Sequence, residues 1–393
     1  MVQDRRHSFI SGFSQQRYQR FVADMEADFG SPIAFHICET PVFFDRELTR
    51  RLISDATDLL YQSLSPAIQS LTDRAIPPHY RVPGPEGKPH FVQVDFAITR
   101  QEGALVPKLI ELQGFPSLYA FQLGLGRHLK TYSGMTDVSI LPDGMTEDRY
   151  QQLLTRTLTG GQSPEETVLL EIDPDRQKTF IDFHLTRQLT GIRIVDLLSV
   201  KRDGNRYVYK ADEKWNPLSR VYNRVIFDEL DRKGLQSPID FGTVDHLTWI
   251  THPNWYYRIS KFLLPLLQHP SVPACWFLDE APWQDLDLSR YVLKPLFSFA
   301  GTGVKVTITA DDIRSIPEAD RHDYILQEKV AYEPILETLD DPAKLEVRVM
   351  FLPDGEGYVC SNFLVRVSKG AMMGVDFNKN RTWVGSAGAL FLP

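Results

Sequence analysis

The chain has 393 residues, with 43 Lys and Arg against 51 Asp and Glu, and therefore a formal net charge of −8 at pH 7. A hydrophobic content of 42% and a charged content of 24% are typical of a folded globular protein. The acidic balance excludes nucleic-acid binding through a broad basic surface, although it is compatible with a local basic pocket. The chain starts without an apolar signal segment and has no run of about 18 apolar residues. We therefore predict a cytoplasmic protein with no membrane partner.

The first region, residues 1–88, is predicted to be helical and to pack on the rest of the protein. A polar helix is expected from about Ser14. A longer helical segment is expected from Pro41 to Leu71, where leucines recur at helical spacing. The Pro- and Gly-rich stretch 76–90 indicates a loop and a region boundary.

The second region, residues 89–160, begins with a predicted hairpin. Residues 91–99 and 108–114 alternate like strands, and residues 100–107 form the turn. Alternation predicts that Leu109, Glu111 and Gln113 share one face, and that Asp95 of the first strand faces the same way. Two carboxylates and an amide oxygen suit Mg²⁺ held together with substrate phosphates. The alternative is a solvated strand face that holds no ion.

The third region, residues 161–250, alternates between strand and helix. Strands are predicted over Thr167–Ile172 and Gly191–Val200, with a helix over Arg176–Leu189 between them, which favours a small parallel α/β unit. Residues 173–184 follow the carboxyl end of the first strand, where ligands commonly bind in such sheets. A dinucleotide-dependent oxidoreductase would need GxGxxG after a strand, and its absence argues against that class.

The last region, residues 251–393, contains a predicted helix over Trp255–Leu267 and then β-rich sequence. The strand Tyr291–Leu293 ends at Lys294, a Gly-containing loop follows, and a second strand is predicted over Val304–Ile308. A lysine beside such a loop is a plausible phosphate-binding device, although a simple hairpin explains the same pattern. Further strands are predicted at residues 324–330, 344–353, 358–368 and 381–385.

Taken together, these stretches resemble the ATP-grasp superfamily, and most of all its circularly permuted branch, which includes eukaryotic glutathione synthetase and glutathionylspermidine synthase. In ordinary members the strand Asp and a Glu-x-Asn come near the end of the chain. Here the similar VDF and IELQG come early, while YVLKPLFSFAGTGV comes late. YILQEKV resembles the family's adenine hinge, FLVRVSKG its Arg-bearing strand and ISKFLL its upstream lysine. The resemblance covers roughly residues 90–390.

This resemblance implies an α+β or α/β ATP-grasp-like fold, with antiparallel sheets around a nucleotide cleft and an inserted parallel substrate unit. It implies roles for several groups of residues. The phosphates of ATP would be bound by Lys261, Lys294, Ser298, Gly301, Thr302 and Gly303. The adenine hinge would be formed by Gln327, Glu328 and Val330. Mg²⁺ would be held by Asp95, Glu111 and Gln113. Arg348 and Arg366 would be catalytic, and Arg176 and Arg224 would bind substrate.

Two departures from the family pattern bear on the metal. Ser298 or Ala300 stands where the family's phosphate loop usually carries a Glu, and Gln113 stands where Asn is usual. Asp376 or Asn378 are candidates to replace the missing Glu, although a turn explains that segment equally well. His184 and His252 are candidate bases, but hydrogen-bonded structural histidines fit them better.

The implied reaction is the ATP-dependent ligation of a carboxylate to an amine through an acylphosphate. Both substrates would be small molecules or peptides, and the protein would mainly align reactants and stabilise charge. The alternative is a homologue that binds ATP without turning it over. Neither the substrate pair nor the oligomeric state follows from the sequence.

Overall fold

The structure, a computed structural model, describes residues 2–296, 303–370 and 373–393. The α-helices in this part of the chain are α1 Gln3–Ser11, α2 Gln15–Phe29, α3 Arg46–Ser63, α4 Pro66–Thr72, α5 Tyr119–Ser133, α6 Glu147–Thr159, α7 Phe180–Thr190, α8 Phe227–Lys233, α9 Trp255–Arg258 and α10 Ala310–Arg314. The strands are β1 Val42–Phe44, β2 Val92–Gln101, β3 Ala104–Gln113, β4 Thr167–Glu171, β5 Arg193–Asp196, β6 Lys201–Asp203, β7 Arg206–Ala211, β8 Lys214–Pro217, β9 Arg220–Asn223, β10 Thr248–Ile250, β11 Cys275–Phe277, β12 Tyr291–Pro295, β13 Tyr324–Glu328, β14 Lys344–Asp354, β15 Gly357–Ser368 and β16 Gly385–Phe391.

A six-stranded sheet in the order β1-β16-β15-β14-β2-β3 forms the centre of the molecule. Its pairs are antiparallel except for β1 with β16. One face packs against the apolar stripe of α3, which includes Leu52 and Leu59. The other face carries Met350 and Leu364, which pack with α2 and α5. The sheet takes strands from three of the four predicted regions, whose boundaries stay predictions.

A bulge in the β2–β3 hairpin corrects one part of the predicted strand faces. Asp95 pairs with Glu111, but Phe96 pairs with Leu109, so that Ile110 is the extra residue. Leu109 and Leu112 consequently both lie in the hydrophobic core. The prediction that Leu109 shares the face of Glu111 is wrong, because strict alternation fails at the bulge.

The predicted parallel α/β unit is confirmed as a four-stranded sheet in the order β10-β9-β4-β5, in which all pairs are parallel. The helix α7 connects β4 to β5, as expected for a β-α-β crossover. A three-stranded antiparallel sheet, β6-β7-β8, is inserted in the chain between β5 and β9. The mixed α+β architecture with several antiparallel sheets agrees with the predicted fold class at that level.

The last sheet, β11-β13-β12, is antiparallel and has a small core of its own around Trp283, Leu293 and Leu326. The strand predicted over Val304–Ile308 is wrong, because only Lys305 bridges to β12.

Two further elements in the last region of the chain differ from the predictions. The helix predicted over Trp255–Leu267 is instead the four-residue α9 followed by a 3₁₀ helix over Lys261–Leu266, with Pro265 inside it. Proline lacks an N–H and cannot continue an α-helix there. The final strand begins at Gly385, where the predicted strand ends. In the described part of the chain, no helix is long and apolar enough to cross a bilayer.

Candidate functional site

A buried ion-pair network lies on the face of the six-stranded sheet that carries Asp95. Asp95 is fully buried, and both of its oxygens accept hydrogen bonds from Arg348, each at 2.6 Å. Arg366 donates to the same carboxylate at 2.5 Å. The third nitrogen of Arg348 donates to Oε1 of Gln93 at 2.8 Å. The register explains these contacts, because Asp95 lies opposite Arg348 in the pair of β2 and β14.

The network continues to Glu346 and Tyr332. Arg366 forms a second ion pair with Glu346, which lies opposite it in the pair of β14 and β15. Tyr332 donates its hydroxyl to the other oxygen of Glu346 at 2.7 Å. Tyr332 lies in the connection between β13 and β14. Its bond therefore joins the segment that leaves the β11-β13-β12 sheet (the small sheet) to the six-stranded sheet (the large sheet).

The two buried carboxylates have pKa values shifted in opposite directions. Burial raises the pKa of both groups. For Asp95 the guanidinium groups of Arg348 and Arg366 outweigh burial and lower its pKa below the usual range. For Glu346 burial dominates, the charge of Asp95 adds to it, and the pKa stays raised in spite of Arg366. Asp95 is therefore an anion held between two cations.

These contacts bear on the roles expected for Asp95 and Arg348. Both oxygens of Asp95 are engaged by guanidinium groups, so a metal ion at Asp95 would compete with Arg348 or Arg366, and the predicted metal role of Asp95 stays a prediction. Arg348 is buried, and each of its three nitrogens donates a hydrogen bond within the protein, so its predicted catalytic role stays a prediction. Arg366 differs, because its buried Nε has no hydrogen-bond partner among the described residues.

Glu111 lies at the point where charges from four segments meet. It pairs in register with Asp95, and its carboxylate accepts a hydrogen bond from the amide of Gln113. It is close enough to both Lys261 and Lys294 to raise their pKa values. Burial is the larger effect in each case, and it lowers the pKa of Lys261 to about 8 and that of Lys294 below its usual value. We call the place where Glu111, Lys261 and Lys294 meet, between the six-stranded sheet and the β11-β13-β12 sheet, the junction.

Lys261 reaches the junction because the end of β3 approaches the chain just before it. The N–H of Gly114 donates to the carbonyl of Ile259 at 2.9 Å. A Cβ at Gly114 would lie 2.4 Å from the carbonyl oxygen of Trp255, so only glycine permits this approach. Nζ of Lys261 then lies 3.4 Å from the carbonyl oxygen of Pro295, beside Lys294.

Most of the predicted phosphate loop lies outside the described residues. Ser298, Gly301 and Thr302 belong to that part, as does Ala300, and the predictions for them stay open. Gly303 has a φ of 74°, and a Cβ there would lie 3.0 Å from Pro295 Cγ, so the turn requires glycine.

Several polar groups of the predicted hinge are hydrogen-bonded or ion-paired to other residues of the protein. The N–H of Glu328 donates to the carbonyl of Ala274 at 2.7 Å, and the carboxylate of Glu328 pairs with Arg290 at 2.6 Å. The carbonyl of Val330 accepts from the N–H of Tyr332 at 3.0 Å. Gln327 is the buried residue of the three. The structure therefore does not place the Glu328 side chain toward a ligand.

The two predicted substrate arginines lie in different environments. Arg176 is exposed and pairs with Asp173 at 3.5 Å. Arg224 is buried after β9, with its guanidinium over the ring of Phe115 at 4.2 Å. Its Nε and Nη1 are buried and lack hydrogen-bond partners in the part of the chain that the structure describes.

Glu171, at the end of the adjacent strand β4, is a buried acid whose charge is felt by Arg224. Burial raises its pKa to about 8, although Arg224 lowers it. Arg224 and Glu171 both lie at the carboxyl edge of the parallel sheet, where such folds commonly bind ligands.

The histidines and Asn378 have structural contacts. His184 lies on the surface near Asp175, and buried His252 accepts from the N–H of Asn254. Asn378 accepts from Ser368 and from the N–H of Lys369. The side chain of Asp376 lies outside the described residues. Within residues 2–296, 303–370 and 373–393, no group of three or more His, Cys, Asp or Glu is arranged to hold a metal ion.

A cavity of about 330 Å³ lies away from the junction. It is lined by residues of α1, α2 and the end of α5, including Arg5, Arg17 and Asp137. Arg5 is paired with Asp137, and Arg17 donates to the carbonyl of Tyr132. None of the predicted site residues lines this cavity, so the candidate site is defined by its charges rather than by open volume.

Sequence reasoning missed Gln93, Glu346 and Tyr332. A usable signal existed for Glu346, because it stands two residues before Arg348 in a predicted strand and so shares its face. Gln93 stands two residues before Asp95 in the same way. Tyr332 follows a strand and had no such signal.

No protein-family model matches the sequence, and the search of curated proteins finds no match. Among solved structures, the fold is similar to that of a glutathione synthetase-like effector from Globodera pallida, solved in its apo form. The TM-score is 0.59, each chain is covered over 96% of its length, and the sequence identity is 13%. At that identity the likeness shows the fold alone, and the chain therefore has a glutathione synthetase-like fold.

Proposed function

We propose that the protein is an ATP-dependent carboxylate–amine ligase that works through an acylphosphate, on a circularly permuted ATP-grasp framework. The observation that carries the proposal is the convergence of Lys261, Lys294 and Arg366 around Glu111. Three cations from separate segments converge at this junction, and such a cluster suits an anionic ligand. A nucleotide polyphosphate supplies that charge.

The order of these segments supports the permuted framework. The hairpin with Glu111 comes early in the chain, while Lys294 and Arg366 come late. The glutathione synthetase-like fold is consistent with a ligase of this kind. The proposed substrates are a small-molecule or peptide carboxylate and an amine.

Glu111 and Gln113 fit one Mg²⁺ ion, because Mg²⁺ in nucleotide sites is usually bound by one or two carboxylates together with substrate phosphates. The amide of Gln113 now donates to Glu111, so it must turn to present its oxygen to an ion. When bound, Mg²⁺ would neutralise phosphate charge and polarise the transferred phosphoryl group.

The chain's own residues have distinct tasks in this proposal. Lys261 and Lys294 bind phosphate oxygens, and the low pKa of each makes its charge sensitive to the arrival of an anion. Arg366 donates to the phosphoryl or acylphosphate group through Nε, which has no hydrogen-bond partner among the described residues. Asp95 and Arg348 position Arg366, since they fix the side of the guanidinium group that faces away from the ligand.

The acid substrate is assigned to Arg224. Its buried Nε and Nη1 have no hydrogen-bond partner among the described residues, and each can donate one hydrogen bond to an anionic or polar group of that substrate. Burial raises the pKa of Glu171 to about 8, so its carboxyl group is mostly protonated at neutral pH. It lies near Arg224 and would bind a polar group of the same substrate. Arg176 is retained as an exposed contact at the mouth of this site.

The test is calorimetry with Mg-ATP. Lys294→Ala should weaken binding by about 1–3 kcal/mol, the range of a hydrogen bond to a charged group. Lys305→Ala is the matched control, because Lys305 bridges to the same strand but pairs with Asp312 at 2.8 Å. Equal affinity in wild type and Lys294→Ala would refute the assignment.

A second candidate is a protein that binds ATP without turning it over. The engagement of Asp95 by two arginines favours it, because only two of the three predicted metal ligands remain available. The two functions separate when ATP is incubated with a panel of amino acids and short peptides. A ligase releases phosphate in at least one mixture, and Glu111→Gln abolishes that release. Tight ATP binding with no release in any mixture favours the second candidate.

A further inference from the structure

The cavity among α1, α2 and the end of α5, which we call the helical cavity, has no part in the proposed function. Its volume is about 330 Å³. Small-molecule sites in proteins range from about 300 to 1,000 Å³, so the helical cavity is large enough for a small ligand. Apart from Phe9 and Met135, the side chains that line it are polar. Its ligand is therefore expected to be small and polar.

The charge of the lining indicates which sign of ligand the helical cavity favours. Arg5 and Arg17 contribute two positive charges and Asp137 one negative charge, which leaves a net charge of +1. The whole chain carries −8. A locally positive cavity in an acidic chain attracts anions rather than cations.

The guanidinium group of Arg17 is held in place by an aromatic stack. Its Nη2 donates to the carbonyl of Tyr132, and its Cζ lies 5.2 Å from the centre of the Tyr132 ring. That ring is stacked on Phe21 at 4.4 Å and touches Phe9 edge-on at 5.4 Å. Among the described residues, Nε and Nη1 of Arg17 make no hydrogen bond. An arginine fixed in this way loses little freedom when it binds an anion.

The second arginine is held by an acid from the same cavity. Nη2 of Arg5 pairs with Oδ2 of Asp137, and the two side chains are 38% and 48% exposed. Ion pairs with this exposure are weak, so an anion can replace Asp137 as the partner of Arg5. Ser8 and Thr136 also line the cavity, and each hydroxyl can donate a further hydrogen bond.

We propose that the helical cavity binds a compact dianion, the phosphate or dicarboxylate group of a small metabolite, between Arg5 and Arg17. A guanidinium group can bind either anion through two parallel hydrogen bonds. On binding, Asp137 releases Arg5 to the ligand. The site is separate from the junction, because Glu111, Lys261 and Lys294 do not line it.

The experiment is calorimetry with inorganic phosphate and with malonate, which represent the two kinds of dianion. Ionic strength is held constant, because salt screens exposed charges. Wild type should bind at least one of them with a Kd below about 1 mM, and the tighter of the two identifies the class of ligand. Lys294→Ala should keep this binding, because Lys294 belongs to the junction. If neither anion binds, or if Lys294→Ala removes all binding, the inference is overturned.

Arg17→Gln should weaken the binding of the anion by at least about ten-fold, the effect of losing a hydrogen bond to a charged group. Arg20→Gln is the matched control, since Arg20 lies on the same helix, is 82% exposed, pairs with Asp24 at 3.6 Å and does not line the cavity. Its affinity should stay within about two-fold of wild type. Equal losses in both variants would reveal a general effect of charge and overturn the inference.

Asp137→Asn should act in the opposite direction. It removes the negative charge from the lining and releases Arg5, so affinity should rise about two- to five-fold, the range for one exposed charge pair. Asp24→Asn changes the net charge equally on the exposed face of α2 and should leave affinity unchanged. If Arg17→Gln fails to fold, these two variants still decide, because no gain in Asp137→Asn, or equal gains in both, overturns the inference.

The outcome does not depend on the proposed ligase function. That function is tested with Mg-ATP and Lys294→Ala, whereas the helical cavity is tested with small anions and with Arg17→Gln and Asp137→Asn. Either proposal can fail while the other stands.

Discussion

Asp95 shows how one buried charge can organise several strands. Its carboxylate joins β2 to Arg348 on β14 and to Arg366 on β15. Taking an anion out of water is costly, and the cost is offset here by three hydrogen bonds from two cations. Removing the anion would leave the buried guanidinium group of Arg348 without its carboxylate and close to the half-buried guanidinium group of Arg366.

We expect Asp95→Asn to lower the free energy of unfolding by about 3–5 kcal/mol, as for other broken buried ion pairs. Asp354→Asn is the control, because Asp354 also bridges two arginines, Arg149 and Arg156, but does so on the surface. Its loss should cost less than about 1 kcal/mol. Urea unfolding measures both. Equal losses would contradict the role of burial.

Glu171, at the carboxyl edge of the parallel sheet, provides a pH-dependent test of the proposed substrate site. Its folded-state pKa of about 8 lies above its ordinary value of 4.5, because burial disfavours the anion. The folded protein therefore keeps a proton that the unfolded chain releases. Stability from this group is complete below pH 4.5, falls as pH rises from 4.5 and is fully lost above about pH 8.

Wild type should lose stability relative to Glu171→Gln by up to about 1.4 kcal/mol per pH unit in this window. Unfolding measured from pH 5.5 to pH 8.5, covering much of that window, tests this. The fully exposed Glu356 supplies the control, since Glu356→Gln should follow the wild-type curve. Parallel curves for wild type and Glu171→Gln would show that Glu171 ionises normally.

Among the elements, the end of β3 has the strongest influence on the site. It carries Glu111 and Gln113, and Gly114 brings it against the turn that precedes Lys261. One strand therefore places both the proposed metal ligands and, through a backbone contact, a phosphate-binding lysine.

Gly114→Ala should destabilise the protein by about 1–3 kcal/mol, the usual cost of overpacking, and should also weaken ADP binding. Gly12→Ala is the control, since its new Cβ would have no neighbour closer than 3.7 Å. Its effect should stay within about 0.5 kcal/mol. Thermal unfolding and calorimetry give the two readouts. Normal ADP affinity in a destabilised Gly114→Ala protein would separate packing from the site.

At the scale of the whole molecule, the junction lies between a large and a small sheet, with Lys261 buried and Glu111 and Lys294 half-buried. The proposed nucleotide would enter most readily if the small sheet moved away from the large one. The small sheet is suited to this movement. Its separate core contains few buried apolar side chains, whereas the large sheet is packed on both faces. Regions with small cores open at lower free energy than regions with large ones.

Hydrogen exchange should therefore be faster in β11, β12 and β13 than in β2, β14 and β15. Saturating ADP should slow exchange in β13, because a ligand that binds the closed form stabilises it. Mass spectrometry of peptic fragments measures both effects. Uniform protection of the two sheets without ligand would exclude this route of entry.

Local patterns in the sequence were sufficient for most of the strands. β2, β14 and β15 alternate or run apolar over ten or more residues, and the period of two places Asp95 and Glu111 on a shared face. The β-α-β unit followed from a strand, helix and strand in succession, because parallel pairing requires such a crossover.

The tertiary structure decided the partners of those side chains. Asp95 meets Arg348 from a strand 253 positions later, and no local period encodes that pairing. The bulge at Ile110 depends on how β3 packs, and the final strand depends on pairing with β15. The sequence by itself therefore determined which residues are polar on an otherwise apolar face. Long-range register decided which of them neutralise each other and which, like Arg366, keep a donor with no hydrogen-bond partner among the described residues.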